Sequence, residues 1–437
     1  MPDQPRRGRL NAPGCALASV ALLVAVAGLL LVARGTPVEG VRSVDGDPPP
    51  APAEAGFVPL VEALVPTRLE AGHAVELLND GDGTFARLFG DLRAARESIV
   101  AQVYYWKEGA LADSIAAILT ERARAGVRVH LLFDDFGADV PDAYRQRLTD
   151  AGVVVARLRP VSIWALRRSQ ERSHIRAVVV DGRVGYTGGF GIDDAWLGDG
   201  RTRGQWRESN VRFTGPAVAQ LTGAFAAGWA EATGVLMVGT PRSGSDAAGA
   251  TAGDASIAGL VFTSPTNGST PAERLLALSI VGARERLWIA NAYFVPDDDF
   301  RAMLIASARR GVDVRVLVPS ADTDVPVVRL AARAHYRELL DGGVRIFEYQ
   351  PTMMHAKTIV ADGAWCLVGT MNLDNRSLAL NDEVTLAALD GRLGAAMERS
   401  FLADLEHSQE ITVPEFERRG AWEKLREKGA VLLSRWL

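Results

Sequence analysis

The chain repeats itself. The stretch HIRAVVVDGRVGYTGGFGIDD (174–194) lies over HAKTIVADGAWCLVGTMNLDN (355–375) without a gap. His174 meets His355, Arg176 meets Lys357, Asp181-Gly182 meets Asp362-Gly363, and Asp193 meets Asp374. Upstream, ARAGVRVHLLFDD (123–135) resembles ARRGVDVRVLVPS (308–320), and ARESIVAQVYYW (95–106) resembles ARERLWIANAYF (283–294). Segments that recur in one order mark a duplicated unit. Within each half, apolar strand-like runs alternate with segments of helical spacing that stop at glycine. This predicts two tandem α/β sandwich domains, each with a mixed sheet covered by helices. Packing about a pseudo-twofold axis would bring the two repeated motifs together.

The 437 residues divide by composition. Residues 1–13 are basic, with Arg6, Arg7 and Arg9 before an uncharged run over 14–33. A helix of that length rises about 30 Å, enough to cross a bilayer core, and it exceeds the usual apolar region of a cleavable leader. It is expected to anchor the chain in the cell membrane, with the arginines inside and the body outside the cytoplasm. Residues 34–56 are rich in Pro, Gly and Ala and read as a tether. The first half is expected over 57–238, a low-complexity linker over 239–259, the second half over 260–412 and an amphipathic segment over 413–437. That last segment fits either packing on the domain or a membrane-surface helix. A first-half insertion, RPVSIWALRRSQER (159–172), reads equally as a lid, a membrane-facing loop or a solvated excursion.

A net charge of −5 argues against a general nucleic-acid binder. Cys15 and Cys366 are too few and too far apart for a disulfide framework or a zinc site. The acidic runs Asp134-Asp135 and Asp297-Asp298-Asp299 close a strand and begin a helix, so they do not call for a metal. No Walker loop or dinucleotide fingerprint is present, and no cofactor is expected.

Of six histidines, His73, His130, His174, His335, His355 and His407, only His174 and His355 are repeat-equivalent with a cation two residues on. Residues i and i+2 of a strand share a face, so each imidazole projects beside its cation, Arg176 or Lys357. Two imidazoles and two cations in one cleft suit a phosphodiester. The cations offset its charge, one neutral imidazole attacks phosphorus, and the other gives a proton to the leaving alcohol.

HxKxxxxD followed by GTMN resembles the phospholipase D superfamily signature, and the match to its bacterial cardiolipin synthase branch is closer still. YYWKEG, LLFDDFG, TGGFGIDDAWLG, QWRESNVRFTGPAV, NAYFVPDDDF, FEYQPTMMHAKTIVADG and VGTMNLDNRSLALNDEV carry that likeness from about residue 57 onward. The resemblance implies a phosphatidyltransferase acting at the membrane on phosphatidylglycerol or a similar phospholipid. It implies His174 as nucleophile, forming a phosphatidyl-histidine, and His355 as acid and then base. Lys357 and Asn372 match phosphate-binding positions, with Thr370 in the same GTMN stretch. Glu383 and Glu208 stand where relatives place a carboxylate against an imidazole. Asp181 and Asp362 complete the motif, although the glycine after each suggests a turn.

The first half departs from the pattern twice. Arg176 replaces lysine, and Gly191 stands where most relatives have asparagine. These changes read as a compensated pair, a larger head beside a smaller neighbour, or as decay towards a lipid-binding pseudoenzyme. A hydrolase using water as acceptor is the other reading left open.

Overall fold

The computed structural model describes residues 19–25, 28, 40–46, 48–160, 170–237, 256–266 and 268–432. Helix α1 (Phe57–Leu64) precedes strand β1 (Glu70–Asn79) and α2 (Asp80–Ala94). Then come β2 (Ser98–Val103), α3 (Ala110–Arg124), β3 (Arg128–Asp134), α4 (Asp142–Asp150) and β4 (Val154–Leu158). The hairpin β5 (Ala177–Val180) and β6 (Val184–Gly188), short β7 (Trp206–Arg207), β8 (Ser209–Thr214) and α5 (Ala217–Thr233) complete the first half.

The second half opens with β9 (Ser256–Thr263), α6 (Pro271–Gly282), β10 (Arg286–Asn291), α7 (Asp298–Arg309) and β11 (Asp313–Pro319). It continues through α8 (Pro326–Ala334), α9 (Tyr336–Asp341), β12 (Arg345–Tyr349), β13 (Met353–Met354), β14 (Lys357–Ala361) and β15 (Trp365–Gly369). Helix α10 (Asn375–Ala379), β16 (Glu383–Leu389), α11 (Gly391–Leu405), β17 (Ser408–Ile411), α12 (Val413–Glu417) and α13 (Ala421–Val431) follow.

Among the described residues one 15-stranded sheet runs through the molecule, in the order β17-β12-β11-β10-β14-β15-β16-β9-β1-β8-β6-β5-β2-β3-β4. Outward from the β9–β1 junction both sides read alike: β1-β8-β6-β5-β2-β3-β4 one way, β9-β16-β15-β14-β10-β11-β12 the other. The strands β2-β3-β4 and β10-β11-β12 are parallel, and the inner ones antiparallel. The parallel strands are apolar runs such as SIVAQV because helices bury both their faces. One core lies under the helices of each half, and a third between the halves. That central core joins Leu132 and Val179 to Leu317 and Val360, with Phe225 and Trp229 of α5 and Met397 and Phe401 of α11.

The sequence boundaries shift in three places. The sheet is continuous where two separate sandwiches were expected, because β1 and β9 pair antiparallel. Residues 256–259, assigned to the linker, belong to that strand. Gly259 suits the crossing, since a Cβ there would sit 2.1 Å from the Arg68 carbonyl. Helix α1, assigned to the first half, packs in the second-half core instead. Phe57 and Val61 recur at helical spacing and bury one stripe, and Phe57 meets Trp365 edge-on with centroids 5.0 Å apart. The described part of the tether also lies on this half, through Val41, Val44 and a hydrogen bond from Arg284 to the Pro49 carbonyl.

The anchor over 14–33 lies outside the described residues apart from 19–25 and 28, where Leu22, Leu23 and Val24 are exposed. Among the described residues, no helix is long and apolar enough to cross a membrane. The linker over 239–255 and most of the insertion (161–169) also lie outside them.

Candidate active site

Each motif enters its hairpin from the same end. Strands β5 and β14 begin at Ala177 and Lys357, so His174 and His355 sit just before the ladder and not within it. The reason is a different set of partners. The His174 N–H donates to the Asp382 carbonyl (3.0 Å) and the His355 N–H to the Arg207 carbonyl (2.7 Å). Each histidine is thus tied by its backbone to the opposite half. Short parallel pairings extend the crossing, Ser173 with Asp382 and β13 with β7.

The residues after those two carbonyls are Glu383 and Glu208, and their carboxylates complete the clamp. His174 Nδ1 is 3.0 Å from both Glu383 oxygens, and His355 Nδ1 is 2.6 Å from Glu208 Oε2. A backbone carbonyl and the next side chain therefore hold each imidazole from the partner half. A carboxylate on Nδ1 fixes the tautomer and leaves Nε2 for chemistry.

The cations line the same space. Lys357 Nζ lies 3.1 Å from both ring nitrogens of His355 and donates to the His355 carbonyl (2.5 Å). Arg176 donates to the His174 carbonyl (2.9 Å) and stacks over Tyr104, while its buried Nε has no protein partner. Asn372 is buried with Oδ1 likewise unpartnered. The Arg176 Nε–H suits a phosphate oxygen, which would supply its missing acceptor.

The two pairs differ electrically. Burial, then Arg176 and Lys357, holds His174 well below the usual imidazole range. Burial also lifts Glu383 to about 8, against hydrogen bonds from Thr370, Ser377 and Asn381. His355 is lowered to about 4 by burial and Lys357, with Glu208 opposing. Burial pushes Glu208 up, but His355 and Lys357 outweigh it and carry the carboxyl below its ordinary value. Lys357 is itself lowered to about 8 by burial.

Gly191 faces Trp196. A Cβ there would lie 2.7 Å from the indole ring, whose Nε1 donates to Glu208 (3.4 Å). The compensating neighbour of Gly191 is therefore Trp196 and not Arg176. In the repeat, Gly191 and Trp196 correspond to Asn372 and Ser377, and Gly189 to Thr370. The second half steadies Glu383 with the Thr370 hydroxyl (2.5 Å) and Asn381 (3.3 Å). The first half uses an indole and the Ser209 N–H (3.0 Å) on Glu208.

Asp181 and Asp362 are not brought to the histidines. They sit at the far ends of their strands with φ of +52° and +50°, each followed by a left-handed glycine, the Asp-Gly signature of a tight hairpin. Asp181 accepts the N–H groups of Arg96, Glu97 and Ser98, and Asp362 those of Arg284, Glu285 and Arg286. They are turn residues. Asp134 receives the Ser173 N–H, and Asp297 caps α7.

Sequence reasoning missed the aromatic wall. Tyr104 meets His174 edge-on at 4.8 Å, and Trp206 (4.9 Å) and Trp196 (5.4 Å) flank His355. Tyr293 lies 6.3 Å from His355 and donates to Asp324 (2.5 Å). The one available signal was the aromatic end of the repeated strands, VYYW and NAYF.

The chain is similar to known proteins over most of its length. A family model described as "Cardiolipin synthase, PLD-like domain" matches residues 276–405. Cardiolipin synthase A of Pseudomonas fluorescens is 34% identical over 368 residues, covering 83% of this chain and 75% of the relative. The cardiolipin synthase of Alkalihalophilus pseudofirmus is 33% identical over 361 residues, 82% of this chain and 71% of the relative. Among solved structures, phosphatidylserine synthase from Haemophilus influenzae superposes with a TM-score of 0.66 at 14% identity, over 87% of this chain and 100% of that one. That likeness is one of fold.

Proposed function

Because the chain belongs to the cardiolipin synthase family of phospholipase D-like proteins and is a phosphatidyltransferase of that kind, we propose that it joins two phosphatidylglycerol molecules through a phosphohistidine. His174 Nε2 attacks phosphorus while Nδ1 keeps its proton against Glu383. The phosphorus–oxygen bond to glycerol breaks, and His355 gives that oxygen its proton. The anionic phosphodiester raises the proton affinity of His355 as it arrives, so the acid forms where it is used. The hydroxyl of a second phosphatidylglycerol then returns a proton to His355 and attacks phosphorus. The phosphorus–nitrogen bond breaks, and cardiolipin and free His174 result. Lys357 and Arg176 offset the charge of both transition states.

One observation carries this reading: each imidazole has its Nδ1 against a buried glutamate of the other half. The unequal electrostatics support the assignment of roles, since Glu208 opposes the lowering of His355 and so favours its taking up the proton that an acid needs. We read the halves as copies about a pseudo-twofold axis, which the mirrored strand order supports. We also read 14–33 as an anchor in the cell membrane, with the body outside the cytoplasm. Lipid mass spectrometry after incubation with phosphatidylglycerol vesicles tests the reaction, with His174→Ala as control. Cardiolipin and glycerol from the native chain alone are expected. Phosphatidic acid in their place would make water the acceptor, and unchanged lipid would refute transfer from this donor.

A further inference from the structure

Helix α13 is docked inside out. Its inward side is charged: Glu427, 2% exposed, receives Arg333 (3.2 Å) and Arg419, and Glu423 receives Arg333 (3.2 Å). Ala430 is its buried apolar residue. The apolar side chains face out instead, with Trp422 70% exposed, Leu425 59% and, just past the helix, Leu432 81%. At helical spacing these three fall on one stripe with Gly429. Exposed Lys424 and Lys428 border that stripe on one side and Arg426 on the other, Lys424 donating to the Glu417 carbonyl (3.0 Å). Glu427 is buried and Glu423, its side chain 44% exposed, leans to Arg333, so the face carrying Trp422, Leu425 and Leu432 is apolar and cationic. An ordinary surface helix shows the opposite arrangement.

The place matters as well. Helix α13 packs on α8, which starts where the loop 320–325 leaves the end of β11. Asp324 of that loop holds Tyr293 beside His355. Helix α13 thus rests on the helix that follows the loop bearing Asp324.

We infer that the outer face of α13 docks on an anionic lipid bilayer, with Trp422, Leu425 and Leu432 below the headgroups and Lys424, Lys428 and Arg426 among them. This rests on the reading that the substrate is an anionic phospholipid. A long cationic side chain lies along apolar surface while its head meets headgroup phosphate. A second copy is the poorer occupant, because facing stripes would set like charges against each other.

The test uses the full chain in bilayers, with an environment-sensitive fluorophore on Leu425→Cys in a Cys15→Ser background; Cys366 is buried. In phosphatidylglycerol bilayers the emission should shift to the blue and be quenched by brominated acyl chains, less so in phosphatidylcholine. Solvent-like emission in both would overturn the proposal, as would label-to-label contact in the absence of lipid. Trp422→Glu with Leu425→Glu should raise KM for vesicle phosphatidylglycerol about tenfold or more, the loss expected from one buried leucine. Turnover of monomeric short-chain phosphatidylglycerol should not change, and equal loss on both substrates would overturn the proposal. No transfer by the native chain on either substrate would sink the transferase reading alone, with the fluorophore still deciding the docking surface.

Discussion

At the residue scale the site is a set of shared protons and unequal neighbours. Lys357, lowered to about 8, is an ammonium below that pH and a neutral amine above it. The phosphate clamp therefore loses a charge as pH rises, and kcat should fall through about pH 8. Lys357→Arg keeps its charge, and Arg176 shows that the same register accommodates a guanidinium. The alkaline limb should move up by about a unit or more in that variant. A pH–rate profile decides it: a limb left in place would show that Lys357 is not the group titrating. The second residue-scale prediction concerns Gly191. Asparagine there collides with Trp196, so Gly191→Asn should destabilise by about 1–3 kcal/mol, the usual cost of overpacking. Adding Trp196→Ser installs the second half's own pair, Asn372 and Ser377, and should recover much of that loss in a denaturant titration. Equal destabilisation of the single and double variants would break the argument.

At the element scale, most of what was legible came from repetition and period. The alternation of strands and helices, the parallel runs and the DG hairpins follow from local patterning in VRVHLLFD or TIVADG. What the sequence could not reveal were pairings between distant segments. Nothing in HAKTIV states that His355 leaves the ladder to bond Arg207, because that bond depends on where the other half ends up. The glutamates were found by family likeness, but not their crossing. The turn aspartates yield a clean prediction. Asp181→Ala strips the acceptor from three backbone N–H groups that lie near solvent, at about 0.5–1.5 kcal/mol, the usual net worth of a hydrogen bond. Activity per folded molecule should be kept, since the carboxylate lies at the far end of β5. Urea unfolding with an activity assay separates the two effects, and a loss of kcat without a loss of stability would return Asp181 to the catalytic group.

On the scale of the whole molecule, duplication has become dependence. Had each half kept its own glutamate against its own histidine, the halves could be thought of as two sites. Instead Glu208 serves His355 and Glu383 serves His174, the sheet runs on through β1 and β9, and the central core draws on both sides. Helix α1, carried at the start of the chain, completes the second-half core, so even the order of segments ties one half to the other. Cutting within 239–255 breaks one covalent link and none of these contacts. We expect neither fragment to be monodisperse or active alone, because each would expose its share of the central core and present a histidine without its carboxylate. Co-expressed, the two should associate and regain transfer. Size-exclusion chromatography and the lipid assay on each fragment and on the pair check this, and a single fragment that forms a phosphohistidine unaided would show that the cross-half clamp is not needed.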